Sequence, residues 1–238
     1  MLILFTMSGV IFNAFLAAGV KSDPYTFKSA TAEFSLGNAG QLIIMVSFFG
    51  TVILADNIFG DEYGAGTMRT SVASGIRRSH MLFGKMAIMV SVTMIVYVIA
   101  VILEYMSATW LPLGDGYGLY SKIFVRIAIA SFPLVINSSV FTLCLYFMFR
   151  RGGACYLTFV VLMWIIPYIT GSLFSIFIPL FGDIAKHTAF DRLYSLLSQY
   201  EAFEDYGSRL LWICGESICR IAAMTSICWF SYSRSEIK

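Results

Sequence analysis

Six apolar blocks divide this chain, each about as long as a bilayer core requires of a helix, roughly 20 residues. They cover residues 2–20, 41–59, 86–106, 127–149, 156–181 and 210–231. Backbone groups in lipid find no water, so such blocks must satisfy their own hydrogen bonds, and a helix does this within one segment. Composition agrees. Soluble domains are roughly 45–50% apolar and about 25% charged, whereas this chain is 58% hydrophobic and 13% charged. The surplus is surface meant for lipid. The pattern predicts an all-α integral membrane protein with six transmembrane helices, and residues 1–238 form a single membrane domain with no repeat and no soluble module.

The first block could be mistaken for a signal peptide. It has no charged lead, and Gly19-Val20-Lys21 is a poor cleavage site, so it reads as a span. The numbering begins inside this apolar run, so a cytoplasmic lead-in is missing or very short. Pro133 and Pro167 lie inside the fourth and fifth blocks, where neighbouring helices can take up the freed carbonyls. Pro179 is expected to end or bend the fifth. A net charge of +2 gives no argument for nucleic acid. Cys144, Cys155, Cys214, Cys219 and Cys228 all fall in apolar stretches or at a cytoplasmic end, so no disulfide framework is implied. Cys214 and Cys219, with no histidine nearby, read as small packing residues rather than metal ligands.

Orientation follows from lysine and arginine. Arg69, Arg77, Arg78 and Lys85 lie between blocks two and three, Arg150 and Arg151 follow block four, and Arg234 and Lys238 end the chain. These segments share one side. The opposite loops hold most of the acids, among them Asp23, Glu33, Asp115, Asp183, Glu201 and Glu204, although Lys21, Lys28, Lys122, Arg126, Lys186, Arg192 and Arg209 temper the bias. The expectation is a multi-pass protein with both termini cytoplasmic. In the outer loop 183–209, Leu193, Leu196, Leu197, Tyr200, Phe203 and Tyr206 recur at steps of three and four. That is one face of an amphipathic helix, which either lies at the outer interface, caps the bundle, or packs as an ordinary loop helix.

Catalytic and nucleotide motifs are missing. No lysine precedes Thr67 to make a phosphate-binding loop, and the sequence has no HExxH helix or GxSxG elbow. His80 and His187 are far apart, so no metal site is expected. The chain reads as a non-enzyme. Two charged features remain. Residues 60–85, GDEYGAGTMRTSVASGIRRSHMLFGK, join blocks two and three. Most connections take about 4–6 residues, so a segment this long with glycines around a short helix over 67–73 reads as a contact surface. The second feature is Glu216 and Arg220, four apart on one helix face in the favourable order. They either neutralise each other or contact a substrate. Only these two residues are expected to bring charge into mid-span.

Glu62-Tyr63-Gly64-Ala65-Gly66-Thr67-Met68-Arg69, then Ser74-Gly75-Ile76-Arg77-Arg78, then Gly84-Lys85, resemble the signature of type-2 ABC transporter permeases. The six-block layout is similar too. The resemblance implies a permease subunit of an ATP-driven exporter in a bacterial inner membrane. It would pair with a second, identical or different, permease subunit. An ABC ATPase subunit, which would bind ATP and Mg, would dock on a cytoplasmic coupling helix between spans two and three. The matching positions are Glu62, Thr67, Arg69, Arg78 and Lys85. The family's interfacial helix before the first span has no counterpart here, which puts its contacts in doubt. Size and the lack of a large outer domain are similar to small peptide or drug exporters. The implied cargo is an amphipathic peptide or hydrophobic compound moved by alternating access. The alternative is a secondary transporter driven by an ion gradient, which needs broken helices and ionisable groups near the bilayer centre.

Overall fold

A computed structural model describes residues 7–23, 25–26, 28–64, 78–149, 152–169, 188–198 and 206–234, and among these all regular structure is helical. Helix α1 is Ser8–Ser22. Helix α2 covers residues 32–64 without a break, with a π-turn over Ser35–Ala39. Helix α3 is Arg78–Ala108 and α4 is Tyr117–Phe149. Helix α5 covers residues 152–169 and contains a second π-turn, Val161–Ile165. Helix α6 is Ala189–Ser198 and α7 is Tyr206–Arg234.

Among the described residues four stretches have the length and hydropathy to cross a membrane: Ala32–Gly60, Ser79–Ala108, Tyr117–Phe149 and Leu210–Phe230. They correspond to the second, third, fourth and sixth apolar blocks. The first block appears as α1, and residues 1–6 lie outside the described residues. The fifth appears as α5, and residues 170–187 lie outside them as well.

The helices run past the apolar blocks at several ends. Helix α2 starts nine residues before its block because Thr31 caps it: the Thr31 hydroxyl accepts from Phe34 N–H at 3.2 Å, and the Ala32 N–H donates to the Pro112 carbonyl at 2.9 Å. Two of the four orphan donors at a helix start are thereby satisfied. Helix α4 starts ten residues early, carrying Lys122 and Arg126 within its first three turns. At the other end of α2 the apolar block stops at Phe59, but the helix continues to Gly64, and α3 begins at Arg78. Residues 65–77 between them lie outside the described residues. The acidic Asp61 and Glu62 extend a helix as readily as they would a loop, since charge breaks hydropathy without breaking helix geometry.

Helix α4 is the element against which the others are arranged, packing on α2, α3, α5, α6 and α7. Its side chains explain this. Small hydroxyl residues let helices approach closely and bond across the gap. The Ser138 hydroxyl donates to the Phe48 carbonyl at 2.7 Å, and Thr51 Oγ1 lies 2.9 Å from Ser138 Oγ and 3.1 Å from Thr142 Oγ1. Just before the turn that leads into Pro133, Tyr97 of α3 donates to Ala128 O at 2.8 Å, and Ser131 donates to Ile127 O at 2.8 Å. Cys144 Sγ approaches Met224 O of α7 at 3.7 Å. Gly40 permits one close crossing, since a methyl there would come within 2.6 Å of the Phe124 ring.

Aromatic rings fill the region between α2, α4, α5 and α6. Phe49 lies 5.5–6.5 Å by ring centroid from Phe48, Phe159, Trp164 and Phe190. Phe190 belongs to α6, the helix anticipated from the leucine pattern. Its Leu193, Leu196 and Leu197 are buried and join the main core. The leucine part of the expected face is buried and packs beside Phe49, in the middle of α2, whereas Tyr206, expected on the same face, is the first residue of α7. Tyr200 and Phe203 lie outside the described residues.

Candidate functional site

Three groups of polar side chains carry the functional argument. The first is the α2–α3 connection. Glu62 and Gly64 are helical residues of α2, and Arg78 is the first residue of α3. Thr67 and Arg69, with the expected coupling helix 67–73, lie outside the described residues. Lys85 is the one motif residue whose side chain is described: its ammonium lies 4.8 Å from the centroid of the Phe59 ring. A cation over an aromatic face contributes about 0.5–1 kcal/mol where exposed. The contact ties α3 to α2 two turns before the connection. Near the same end, the buried Tyr146 hydroxyl of α4 donates to the Asp56 carboxylate of α2. Three helices are thus cross-linked by polar contacts where the motif residues emerge.

The second group is the charge pair of α7, and it has a third member. Arg220 Nη2 lies 3.2 Å from Glu216 Oε1, while Arg192 Nε of α6 donates to Glu216 Oε2 at 3.1 Å. One carboxylate therefore holds two guanidiniums, one through each oxygen. Their side chains are 16–26% exposed. Charge is not self-cancelled along α7 alone. It fastens the short helix α6 to α7, and charge-assisted bonds of this kind are roughly twice as strong as neutral ones. Arg192 was read only as a loop charge. Nothing in its spacing announces a partner 24 residues away on another helix.

The third group was not anticipated: beside the expected mid-span pair Glu216 and Arg220, an ionisable side chain is buried near the end of a span. Glu104, about five turns from Lys85, the nearest cation of its own helix, is fully enclosed in the last part of α3. Its Oε1 accepts from Asn13 Nδ2 of α1 at 3.1 Å and lies 3.2 Å from Ser35 Oγ of α2. Asn13 Nδ2 also donates to Ser107 Oγ at 2.8 Å, and the Ser35 hydroxyl donates to Asn13 Oδ1 at 2.6 Å. All four side chains are buried. Ser35 opens the π-turn of α2, a feature found often at functional sites. The bonds join α1, α2 and α3 at the end opposite to the motif. Beside them Glu33 accepts from the Gly116 N–H at 3.3 Å, pinning the α3–α4 turn to the start of α2.

Among the described residues no cluster of three or more His, Cys, Asp or Glu is placed to hold a metal ion. The elements define an all-helical chain whose four long apolar helices suit a membrane. Beyond that class, no protein-family model, curated protein or solved structure matches this chain.

Proposed function

We propose that this chain is the permease subunit of an ATP-driven ABC exporter. In this reading it moves an amphipathic peptide or hydrophobic compound out across a bacterial inner membrane by alternating access. The observation that carries the proposal is the residues 60–85 pattern together with its setting. Glu62 and Gly64 end one long apolar helix, and Arg78 and Lys85 open the next. Contacts from Lys85 to Phe59 and from Tyr146 to Asp56 brace the helix ends that a docked ATPase would push. Rigid elements braced in this way transmit a displacement instead of absorbing it. The ATPase, with its ATP and Mg, and a second permease subunit, identical or different, are the partners this reading requires.

The test is co-purification. Arg69→Glu, or deletion of residues 67–73, should release the ATPase from detergent-solubilised complexes while the helical content of the permease stays unchanged. Retention of the ATPase by both variants would refute the docking role. Orientation has its own test. On a cysteine-free background, cysteines at Ser74 and Ser233 should resist an impermeant reagent in intact cells and one at Ser198 should react. Labelling of Ser74 from outside reverses the topology.

The rival reading, a carrier driven by an ion gradient, gains one observation: Glu104 is a fully buried ionisable group within an apolar helix. Transport that survives ATP depletion and stops when the ion gradient is collapsed would favour it.

A further inference from the structure

We propose that Glu104 is a proton-binding residue that clasps α1 against α2 and α3, protonated while the three helices are together and ionised when α1 moves away. The inference stands on the hydrogen-bond bookkeeping of the site and not on the transport reading above.

Every donor around the carboxyl is committed. The two N–H groups of Asn13 go to Glu104 Oε1 at 3.1 Å and to Ser107 Oγ at 2.8 Å. The Ser35 hydroxyl is closest to Asn13 Oδ1, at 2.6 Å, and the Ser107 hydroxyl donates to the Glu104 carbonyl at 3.1 Å. Glu104 Oε2 is buried and has no hydrogen-bond partner among the described residues. It lies against the backbone of Gly9 on α1, where an added methyl would overlap it.

No described cation is bonded to this carboxyl. On α1, Lys21 lies two turns beyond Asn13 and is exposed. On α2, Glu33 accepts from Gly116, and Asp56 bonds Tyr146 at the far end. On α3, Tyr97 bonds Ala128 O and Ser131, Tyr105 bonds Ser121, and His80 and Lys85 lie at the far end. Helix α4 brings Tyr117, Tyr120, Lys122 and Arg126 near this end, none of them bonded to Glu104.

A bare carboxylate enclosed with one firm donor is heavily penalised by lost hydration. Something must neutralise it, and the geometry selects what. A metal ion needs several oxygens turned toward it, whereas Asn13 presents its N–H₂ to Oε1 and Gly9 closes the side of Oε2. A proton needs no room. Ionisation hands the proton to water, and water reaches Oε2 only by displacing α1, because Gly9 covers it. Proton release and separation of α1 are therefore one event. The small apolar contact of Leu16 with Ala30, Ala32 and Leu111 opens with it.

The experiment uses the full chain in lipid nanodiscs. Infrared spectra at pH 7 should show a protonated-carboxyl band in the wild type that Glu104→Gln lacks. If the difference between the two holds only carboxylate bands, Glu104 is ionised and the proposal is overturned. Carboxylate bands that shift between sodium and potassium would assign a metal ion instead and also overturn it. The neutral Glu104→Gln mimics the protonated form, so it should fold and keep the clasp shut; failure to fold counts against the idea. The clasp itself is read by maleimide labelling of Leu16→Cys in a cysteine-free background. Its rate relative to the same cysteine in Glu104→Gln should climb with pH by up to about tenfold per unit, the limit for one linked proton. A ratio that stays flat to pH 10 overturns the clasp.

Discussion

Helices α4 and α7 are of similar length, and both contain a stretch apolar enough to cross a membrane, yet 72% of that stretch is buried within the chain for α4 and 11% for α7. Hydropathy does not predict the ranking. The most hydropathic stretch, Ser79–Ala108 at 2.7, is only 28% buried, while Tyr117–Phe149 at 1.8 is the most enclosed. In lipid the apolar residues have no need to hide. Small hydroxyl and amide residues do, and α4 buries Ser131, Asn137, Ser138, Ser139 and Thr142. Helix α7 turns Leu211, Trp212, Ile218, Ile227 and Phe230 outward and keeps Glu216 and Arg220 for α6. Helix α4 encloses its polar side chains in packing and neutral hydrogen bonds, whereas α7 packs one narrow face on α4 and uses its charge to hold α6.

The largest test of that contrast falls on α7. Glu216→Gln withdraws the carboxylate from both Arg192 and Arg220. A charge in an apolar span without its partner costs about 2.5–3.5 kcal/mol on insertion scales, and a loss of that order is expected in resistance to thermal or detergent unfolding. Arg220→Gln should cost far less, about 1 kcal/mol or below, because the Arg192–Glu216 bond survives it. Equal losses from the two variants would mean that Arg192 contributes nothing. The double variant Glu216→Gln with Arg220→Gln still takes the carboxylate from Arg192, so it should remain destabilised. On the exporter reading proposed above, a double variant with normal expression and intact basal ATPase activity of the complex but no transport would move the trio from structure to substrate contact.

The sequence made the rough position of four long helices legible, because an apolar run of some 20 residues has few other fates; the first and fifth of the six expected spans appear only as the shorter α1 and α5 among the described residues. The ends of the long helices were less visible. Lys122 and Arg126 look like a loop, and only the observed helix from Tyr117 shows that they ride on α4. Thr31 is a sound cap in retrospect, but the polar run Ser35-Leu36-Gly37-Asn38 behind it conceals a π-turn. For the candidate sites, the Glu216–Arg220 spacing was readable because a helix fixes what lies four residues on. Arg192 and Glu104 were not, since their partners are distant in sequence. Asn13 is 91 residues from Glu104 and Ser35 is 69, and no local pattern encodes such a meeting. The motif residues Thr67 and Arg69 stay where the sequence left them, outside the described residues.

A smaller effect separates the two helices by packing. Leu134→Ala hollows the interior of α4, where Leu134 has no exposed surface, whereas Ile218 on α7 is 66% exposed. Buried Leu→Ala changes cost about 2–5 kcal/mol in water-soluble cores. Here the value should lie near the low end, about 2 kcal/mol, since unfolded helices remain in lipid and little hydrophobic transfer is lost. Ile218→Ala should stay within about 0.5 kcal/mol. Comparable losses at both positions would indicate that the outward face of α7 is covered by a partner, which the paired-permease reading allows and a lone subunit does not.

The smallest effect probes what holds α4 to α2. Thr51 contacts Ser138 and Thr142 through hydroxyls at 2.9 and 3.1 Å, and its own hydroxyl lies 2.9 Å from Phe48 O. Thr51→Val keeps the shape and removes these bonds. Interhelical hydrogen bonds in membranes average about 0.6 kcal/mol and reach about 1.7, so a loss within that range is expected by steric-trap or detergent unfolding. Ser226→Ala on α7 is the matched control. Its hydroxyl bonds only the Ala222 carbonyl of its own helix, at 2.8 Å, and is exposed. Removing a back-bond of this kind should leave stability unchanged or slightly improved. If Thr51→Val is as silent as Ser226→Ala, the hydroxyls of α4 serve only as small surfaces for close approach, and packing alone holds the buried helix.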